Sequence, residues 1–509
     1  MLPIERLYQT IERQPESIAI AGPTPMTYRA LGRAVDAVAV ELQSLDSRVG
    51  SRVGICAKNT VEHLVALLAT YRAGKVWVPL NPRNGLAELN AMINTTRPSI
   101  MVADESCVGR FTRTNAPLII AKTNATGARV STDNAANISS IRGIMHADDG
   151  KSPTLISRGD EDAHILKFSG GSTGAPKTIV QPVRCINAQA TGILDFFEFN
   201  SDDVNLIAAP LTHGVSCFVL PIFEAGGRHV LLEDANPSAI LETIEREGVT
   251  TIYAPPTMLY GMLGAARAGQ LFPTLRHVIY SAAPMSAERI RECQRVFGNV
   301  IETAYGQVEA PQIITAMRAH ELMIEENLAS VGRPSSVAEV RIDGGDGTFA
   351  KPGDLGEIIV RGALLMSGYL DTPDQPQLTA PTIVDGWLRT GDIGMIDERG
   401  YLFIRGRIRE LINTGGFKVY PVEVELVLAR HPAVAECAVF GVVDAKWGEA
   451  VTAAVVCANK ATVSEAELIA FMKEQMGSVK APKSIRFLTQ LPRNAAGKVS
   501  RADLRRSPT

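Results

Sequence analysis

The chain contains 509 residues with a formal net charge of −3, and 46% of the residues are hydrophobic. Typical domain sizes predict roughly two to four folded lobes, and this composition excludes a disordered chain. There is no sustained basic block, which argues against nucleic acid as the main partner. The seven cysteines form no Cys-x-x-Cys pair, so neither a zinc site nor a disulfide framework is indicated, and a reducing cytoplasm is expected. The N-terminus predicts no signal peptide, and no apolar run predicts a transmembrane segment.

The first hundred residues alternate helical and strand patterns. Apolar residues at helical spacing predict a helix over 26–44, with Thr27 as its N-cap, and a second helix over 60–71. Short apolar runs at 53–56 and 76–80 predict buried strands. This alternation indicates a parallel sheet with helical crossovers.

A stretch rich in glycine and hydroxyl groups comes after residues 124–161, which predict a long surface connection. It reads KFSGGSTGAPK over 167–177, between apolar runs at 163–168 and 178–180. We expect a strand, a tight loop and a second strand. Free backbone N–H groups, hydroxyls and a lysine suit phosphate oxygens. An ordinary Gly/Ser hairpin has the same composition, whereas a Walker A loop is excluded because Pro176 precedes the lysine.

Strands and helices alternate most clearly between residues 204 and 304, which predicts a doubly wound sheet. Such sheets bind ligands beyond the carboxyl ends of their strands. Three unusual sequences fall at expected strand ends: PLTHG at 210–214, SAAP at 281–284 and YGQVE at 305–309. We therefore expect these three loops to converge on one crevice.

After residue 332, short strands separated by turns predict a smaller β-rich lobe. The charged segment 405–410 (RGRIRE) is typical of a linker, and the helix and strand patterns after it predict a small α+β domain. The expected fold class is α/β. It comprises a large multi-lobed N-terminal domain over 1–404 with doubly wound sheets and the β-rich lobe, a hinge over 405–410, and a small mobile α+β C-terminal domain over 411–509.

The glycine stretch and the later motifs together resemble the adenylate-forming superfamily, which includes acyl- and aryl-coenzyme A synthetases, peptide-synthetase adenylation domains and luciferases. The matches run in family order from about residue 27 to residue 501. The resemblance implies that a carboxylate attacks the α-phosphorus of MgATP to give an acyl-adenylate and pyrophosphate. A thiol then displaces AMP. ATP, Mg²⁺ and coenzyme A are therefore the expected cofactors and co-substrates.

The resemblance also implies where the nucleotide binds. ATP and AMP contacts are assigned to the glycine loop, to the loop after the 277–280 strand, to the YGQVE motif, and to the later WLRTGD and RGR motifs: Ser169, Gly170, Gly171, Ser172, Thr173, Gly174, Lys177, Ala282, Ala283, Pro284, Tyr305, Gly306, Gln307, Asp392 and Arg407. Asp392 is expected at a strand end, although an Asx-type turn would explain it equally well from the residues alone. Val308 departs from the threonine that is usual in the family.

Catalysis and thiolation are assigned by the same resemblance. Lys498 is matched to the adenylation lysine, although such a lysine is ordinarily a solvated charge. Glu309 and Thr173 complete the catalytic set and are expected to hold Mg²⁺. The thiolation loop is expected to use Gly415, Gly416 and Lys418, and Arg409 takes the hinge position.

The acyl pocket is assigned to His213, Gly214, Val215 and Tyr253. No aspartate lies between Thr212 and Phe218 to pair with an ammonium group, which disfavours amino acids. Fatty and aromatic acids both remain open. An acid:coenzyme A ligase is the expected function, and the alternatives are a stand-alone enzyme that loads a carrier protein and a non-catalytic nucleotide-binding protein. A homodimer is among the expected assemblies.

Overall fold

The computed structural model describes residues 1–111, 116–122, 139–147, 150–169, 177–345, 347–370, 382–458, 462–493 and 498–506. In that part of the chain, the helices in order are α1 Glu5–Arg13, α2 Tyr28–Leu45, α3 Val61–Arg72, α4 Leu86–Thr96, α5 Glu105–Val108, α6 Ile141–His146, α7 Val183–Phe197, α8 Val219–Ala225, α9 Pro237–Glu247, α10 Pro256–Ala265, α11 Ala287–Phe297, α12 Pro421–Leu428, α13 Glu465–Lys480 and α14 Arg501–Arg506.

The strands in order are β1 Ile18–Ala21, β2 Met26–Thr27, β3 Arg52–Cys56, β4 Val76–Pro79, β5 Ile100–Ala103, β6 Leu118–Ile120, β7 Ser139–Ser140, β8 Ala163–Phe168, β9 Thr178–Pro182, β10 Val204–Ile207, β11 Arg228–Leu231, β12 Thr251–Tyr253, β13 His277–Tyr280, β14 Ile301–Tyr305, β15 Thr315–Met317, β16 Arg333–Pro334, β17 Glu339–Asp343, β18 Gly356–Arg361, β19 Gly368–Tyr369, β20 Ile383–Val384, β21 Trp387–Ile396, β22 Leu402–Arg407, β23 Ile412–Thr414, β24 Phe417–Val419, β25 Val434–Asp444, β26 Gly448–Cys457 and β27 Ser484–Phe487.

Two large sheets form the N-terminal part of the molecule. One has the strand order β19-β9-β8-β4-β3-β5-β6-β7, and the other has β16-β15-β14-β13-β12-β10-β11-β1-β2. Strands β3, β4, β5, β6 and β8 are parallel, as are β10 to β14. A single apolar cluster includes residues of both sheets and of α2, α3, α7 and α8. Parallel strands need cover on both faces, and the predicted parallel sheets with helical crossovers are confirmed.

The residues that cap the N-termini of helices α2 and α3 lie where the sequence predicts. The Thr27 side chain accepts from the backbone N–H of Ala30 at the start of α2, and Thr60 caps α3 by accepting from His63. Each cap satisfies a backbone donor that would otherwise lack a partner. The helices that cover the sheets therefore begin where the sequence predicts.

The three expected loops do follow strands of one sheet. PLTHG comes after β10, SAAP after β13 and YGQVE at the end of β14, and β13 pairs in parallel with β14. The carboxyl ends of parallel strands meet at one edge, so the loops share that edge. The segment after His213 is a 3₁₀ turn, Gly214–Phe218, followed by α8.

Two smaller sheets follow. The first has the order β17-β18-β21-β20 with β22 paired to β21, and the second has the order β24-β23-β26-β25 with β27 paired to β26. The first confirms the β-rich lobe, and the second carries α12, α13 and α14 as an α+β unit. Strand β22 ends at Arg407 and β23 begins at Ile412, so 408–411 connects the two sheets.

Several expectations need correction. The segment 405–410 is not an irregular linker throughout, because β22 continues to Arg407 and only 408–410 forms a 3₁₀ turn. Asp392 does not end a strand but lies inside the ten-residue β21, where pairing with β22 extends the ladder past the glycine turn. Within 124–161, where only a surface connection was expected, α6 buries Ile141, while 124–138 lie outside the described residues.

No helix in the described part of the chain is long and apolar enough to span a bilayer.

Candidate active site

Asp392 is the centre of a buried hydrogen-bond network. The residue is 3% exposed, and Oδ2 accepts from the Tyr305 hydroxyl at 2.6 Å and from Nε2 of Gln307 at 2.7 Å. Oδ1 pairs with Nε of Arg407 at 3.0 Å. Burial, followed by the Asp392 charge, raises the pKa of Tyr305. Burial opposes the charge on Arg407, but Asp392 and Glu410 raise its pKa. The network therefore fixes a carboxylate with strong acceptor capacity at the end of β14.

Glu309 lies beside the end of the glycine loop. Its Oε1 accepts from the Tyr369 hydroxyl at 3.0 Å, and Nζ of Lys177 lies 4.8 Å from the centroid of the Tyr369 ring. Tyr369 belongs to β19, which pairs with β9. The pairing of these strands thus brings the end of the YGQVE motif to the strand that leaves the glycine loop.

The glycine loop is a β-hairpin connection, as expected. The backbone N–H of Ser169 donates to the Lys177 carbonyl at 3.0 Å, closing the loop between the antiparallel β8 and β9. The predicted site residues between them, Gly170, Gly171, Ser172, Thr173 and Gly174, lie outside the described residues. The structure therefore places both ends of this loop at the crevice edge.

Lys498 reaches the same place from the C-terminal sheet. It is exposed to a cleft, yet surrounding protein atoms and the charge of Arg407 lower its pKa, against the opposing charges of Asp392 and Glu309. These charges act on Lys498 because the side chains lie close together. The structure thus brings Lys498, Glu309, Asp392 and Arg407, which are far apart in sequence, to one cleft.

The backbone of the SAAP and YGQVE loops has two unusual features, a positive φ and a close approach to a neighbouring segment. Ala282 has φ = 76°, which is uncommon for a residue with a side chain and costs free energy. Ala283 and Pro284 follow it, and all three residues are exposed. A Cβ on Gly306 would lie 2.7 Å from the backbone nitrogen of Gln312, so no other residue fits there. The first loop is therefore held in an uncommon backbone conformation, and the second packs closely against the backbone of residue 312.

His213, which we assigned to the acyl pocket, lies in the loop after β10. Its Nε2 is 3.4 Å from Nδ2 of Asn81, and Nδ1 is 3.0 Å from the Thr212 hydroxyl. Burial, reinforced by the positive charges of Lys167 and Lys498, lowers the pKa of His213 to about 4. The imidazole is consequently neutral at physiological pH.

The other predicted acyl residues surround His213. Val215 is fully buried, and a Cβ on Gly214 would lie 2.5 Å from the Tyr253 hydroxyl. Nε2 of Gln312 lies 3.4 Å from that hydroxyl. The close approach of Gly214 to Tyr253 holds the 3₁₀ turn against β12.

The predicted thiolation residues lie elsewhere. Gly415 (φ = 58°) and Gly416 (φ = 83°) form the two-residue turn between β23 and β24. Positive φ at both positions is typical of a type I′ hairpin and explains the glycine pair. Gly415, Gly416 and Lys418 are exposed to solvent, as is Arg409 in the 3₁₀ turn. The exposed Gly415–Gly416 turn and Lys418 are not brought to Lys498 in this structure, whereas the charge of Arg409 does act on Lys498.

Sequence reasoning missed three residues that position the site. Asn59 accepts from the N–H of Leu211 at 3.0 Å and donates to the Ala209 carbonyl at 2.9 Å. Gln181 donates to the Val308 carbonyl at 2.8 Å, and Tyr369 contacts Glu309. Each is an uncharged polar residue inside an otherwise ordinary segment, so no local signal marks it before the fold is known.

The residues present fit a nucleotide with Mg²⁺. No cluster of three or more His, Cys, Asp or Glu side chains that could hold a metal occurs among the described residues. Mg²⁺ is commonly bound by one or two carboxylates together with substrate phosphates and water. Glu309 supplies one such carboxylate at the edge of the glycine loop.

This fold and this cleft define an adenylate-forming enzyme, and comparison with known proteins agrees. The family model described as AMP-binding enzyme matches residues 7–370, and the model described as AMP-binding enzyme C-terminal domain matches residues 423–498. The chain belongs to the AMP-binding enzyme family.

Individual relatives cover nearly the whole chain. A feruloyl-CoA synthase from Amycolatopsis is 32% identical over 492 residues, covering 95% of this chain and 94% of that protein. The medium/long-chain-fatty-acid–CoA ligase FadD8 of Mycobacterium tuberculosis is 31% identical over 516 residues, covering 97% and 87%. ATP-bound MatB from Rhodopseudomonas palustris superposes with a TM-score of 0.86 at 30% identity, covering 99% of both chains. The o-succinylbenzoate CoA synthetase MenE of Bacillus subtilis, with its acyl-adenylate, gives a TM-score of 0.83 at 27% identity, covering 99% and 98%.

Proposed function

We propose that this chain is an ATP-dependent carboxylic acid:coenzyme A ligase. It forms an acyl-adenylate with release of pyrophosphate, and then a thioester with release of AMP. The observation that carries the proposal is the convergence of Lys498 with Glu309, Asp392 and Arg407 in one cleft. This arrangement suits MgATP, because an ammonium and a carboxylate lie at the phosphate end and an acceptor network lies at the ribose end. The named relatives that match this chain end to end are mostly acid:coenzyme A ligases.

The side chains have distinct roles in this proposal. Lys498 neutralises charge that develops on the α-phosphate, with Lys177 and the glycine loop residues Ser169 to Gly174 on the other phosphates. Mg²⁺, when bound, neutralises and orients the phosphate oxygens, and Glu309 and Thr173 would hold it. Asp392 accepts from the ribose, with Arg407 beside it. The protein positions the reactants and stabilises charge, which is the largest catalytic contribution in such sites.

The adenine lies between two backbone segments in this scheme. Ala282, Ala283 and Pro284 form one side, and Tyr305, Gly306 and Gln307 form the other. The side chain of Val308 packs with an apolar cluster of the β-rich lobe, and its carbonyl is bonded by Gln181. The backbone of this motif therefore has its support without a hydroxyl at residue 308.

The C-terminal part performs the second half-reaction after it reorients. We assign the boundaries 1–404, 405–410 and 411–509 to the two domains and their hinge, with Arg409 as the pivot. Arg409 lies in the exposed 3₁₀ turn that joins the two small sheets. A change of backbone dihedrals at a few residues can produce such a rotation. Gly415, Gly416 and Lys418 would then approach the adenylate and admit the thiol.

Coenzyme A is the favoured thiol, and a carrier protein is the alternative. One relative, from Streptomyces coeruleorubidus, is a fatty acid–[acyl-carrier-protein] ligase, 29% identical over 490 residues, which keeps that alternative in view. In this proposal, a cytoplasmic location follows from the substrates. A homodimer is a further proposal, and sedimentation of the purified protein would test it.

The test is direct. The purified protein is given MgATP and a panel of aromatic and medium-chain acids, and pyrophosphate release is measured for each. Coenzyme A and an isolated carrier protein are then offered to the enzyme loaded with the best acid. We expect pyrophosphate with at least one acid and a thioester with coenzyme A. A thioester formed only on the carrier protein would replace the proposed thiol, and binding of ATP without pyrophosphate from any acid would overturn the proposal.

A further inference from the structure

Tyr369 contacts two of the proposed site residues at once. Its hydroxyl donates to Oε1 of Glu309 at 3.0 Å, and Nζ of Lys177 lies 4.8 Å from the centroid of its ring, within the range of a cation–π interaction. Burial and the negative charge of Glu309 raise the pKa of Tyr369, so the hydroxyl keeps its proton and remains a donor. One side chain therefore joins a cation at the end of the glycine loop to a carboxylate of the YGQVE motif.

The backbone fixes the position of this tyrosine. Tyr369 is 9% exposed and belongs to β19, which pairs with β9. The N–H of Leu370 donates to the Thr178 carbonyl at 2.8 Å. Before the strand, the N–H of Met366 donates to the Glu309 carbonyl at 2.8 Å. The place of the tyrosine is thus set by the main chains of both segments, independently of the two side chains that its ring and hydroxyl contact.

Lys177 and Glu309 do not form an ion pair with each other. Both residues belong to the described part of the chain, and no salt bridge joins them there. Opposite charges that share a neighbour attract each other, and a lysine side chain is flexible enough to follow that attraction. Direct pairing would neutralise the carboxylate, which would then be a weaker ligand for Mg²⁺. The two contacts with Tyr369 therefore compete with a pairing that would disable both groups.

A second tyrosine with the same kinds of neighbour shows the contrast. The Tyr401 hydroxyl donates to Oε1 of Glu321 at 2.6 Å, and Cζ of Arg333 lies 4.3 Å from the centroid of the Tyr401 ring. Here the cation also pairs with the carboxylate, because Nη2 of Arg333 lies 3.4 Å from Oε1 of Glu321. The cluster around Tyr401 is thus a closed ion pair, whereas the cation and the carboxylate beside Tyr369 stay separate.

We propose that Tyr369 is a positioning residue that keeps Lys177 and Glu309 apart, so that the ammonium serves the nucleotide phosphates and the carboxylate serves Mg²⁺. This inference rests on the proposed acid-activating function. The hydroxyl holds one oxygen of Glu309 and orients the carboxylate, while the ring face attracts the ammonium. Loss of the tyrosine should therefore weaken the use of Mg²⁺ more than the binding of ATP itself.

The first experiment measures binding without turnover. Thermal unfolding is followed with no nucleotide, with ATP in EDTA and with MgATP, for the wild type, Tyr369→Phe, Tyr369→Leu and the matched control Tyr401→Phe. The increment in Tm between ATP and MgATP reports binding of the ion to the complex. We expect this increment to be smaller in Tyr369→Phe, which keeps the ring, and to be smallest in Tyr369→Leu. Tyr401→Phe should retain it, even if its Tm without nucleotide falls.

The second experiment titrates Mg²⁺ in the pyrophosphate-release assay. In Tyr369→Phe the apparent constant for Mg²⁺ should rise about tenfold, the order expected for the loss of a hydrogen bond to a charged group. Because excess Mg²⁺ compensates for weaker binding, kcat at saturating Mg²⁺ should stay close to the wild-type value. A lower kcat with an unchanged constant for Mg²⁺ would overturn the inference, since the tyrosine would then act on the chemical step or on the fold.

A double variant tests the separation of the two charges. If Lys177 moves onto Glu309 when the ring is lost, then Lys177→Met added to Tyr369→Leu should restore part of the Mg²⁺ increment in Tm. Lys177→Met alone should reduce stabilisation by ATP and leave that increment unchanged. Losses that simply add in the double variant would overturn the separating role.

The same measurements distinguish this inference from the function on which it rests. If neither ATP nor MgATP stabilises the wild type, and no acid of the panel gives pyrophosphate, the proposed function fails and the inference falls with it. If MgATP stabilises the wild type but the Mg²⁺ increment is equal in all four proteins, only the role of Tyr369 is contradicted.

Discussion

The C-terminal part presents two candidate functional segments in very different surroundings. Lys498 lies in the cleft, within the field of Glu309, Asp392 and Arg407. The Gly415–Gly416 turn projects into solvent, and nothing lies within 4 Å of a Cβ added to Gly416. Both segments belong to one small sheet and its helices, so they cannot face the cleft at the same time. A rotation of this part would be needed to exchange one segment for the other. In the proposed scheme, this is the arrangement for adenylate formation.

One ion-pair cluster couples the Lys498 segment to the connection between the sheets. Arg501, at the start of α14, pairs with Glu410 at 3.2 Å and with both oxygens of Glu425 at 2.7 and 2.9 Å. Glu410 is part of the 3₁₀ turn that contains Arg409. A change in that turn would carry Lys498 with it, because the guanidinium contacts both elements. The four predictions below use this difference between the two segments.

The largest effect is expected from Lys498→Ala. Loss of the ammonium should slow adenylate formation by on the order of 10²–10³-fold, since charge on the α-phosphate loses its neutralising partner. Conversion of supplied acyl-adenylate to thioester should stay close to the wild-type rate. Pyrophosphate release and single-turnover thioester formation measure the two steps. The exposed Lys473→Ala is the control, and equal slowing of both steps in folded Lys498→Ala would contradict the separation of roles.

Glu309→Gln should behave like the Lys498 variant and unlike variants of the hairpin. We expect adenylate formation to fall by about 10²-fold, because a neutral amide holds Mg²⁺ poorly. The amide oxygen can still accept from Tyr369, so unfolding temperature should barely change. The exposed Glu326→Gln controls for loss of one negative charge. Unchanged turnover at saturating Mg²⁺ would remove Glu309 from the site.

Gly416→Leu should produce the opposite defect. A bulky side chain on the turn should slow thioester formation by about tenfold or more if this surface admits the thiol, while adenylate formation is retained. A positive φ strains any residue other than glycine by roughly 1–2 kcal/mol, so Gly416→Ala supplies the matched control for strain. An equal effect of Ala and Leu would assign the defect to the turn conformation instead of the side-chain volume.

The smallest expected effect is on the pH profiles. Partial loss of hydration, caused by the surrounding protein atoms, lowers the pKa of Lys498 below the ordinary 10.5, so its ammonium is lost at a lower pH than in a free lysine. In the free enzyme, kcat/KM for ATP should therefore decline at alkaline pH, whereas thioester formation should rise as the thiol ionises. Lys498→Arg keeps its charge throughout this range and should lose the alkaline decline. Identical profiles for the wild type and this variant would show that another group titrates.

The sequence predicts the parts of this molecule that depend on short-range pattern. The strands on both sides of the glycine loop, the capped helices and the loops after β10, β13 and β14 follow from periodicity, caps and glycine placement. Resemblance to the family motifs predicted Lys498, Glu309, Asp392 and Arg407 as site residues, and the structure places these four together. Their individual roles remain proposals.

The rest depends on contacts between distant segments. Asp392 was expected at a strand end because a glycine precedes it, but pairing between β21 and β22 continues the strand past that glycine. Tyr369 reaches Glu309 only because β19 adds to the edge of the first sheet beside β9. Lys167 looks like one more basic residue before a loop, and its burial against Ser216 is set by α7 and the 3₁₀ turn packing over β8. No local pattern encodes such pairings.

The crowding of hydrogen-bond donors around Asp392 has a consequence for sugar selection. Its two oxygens offer about four lone-pair positions, and Tyr305, Gln307 and Arg407 already occupy three of them. In the proposed ribose role, one sugar hydroxyl finds an open position and the second competes with a donor of the protein. The ribose diol then contributes the net value of about one hydrogen bond to a charged group, roughly 1.5–3 kcal/mol, instead of two. Discrimination between ribo- and deoxyribonucleotides is thus set by competition between the sugar and three protein donors.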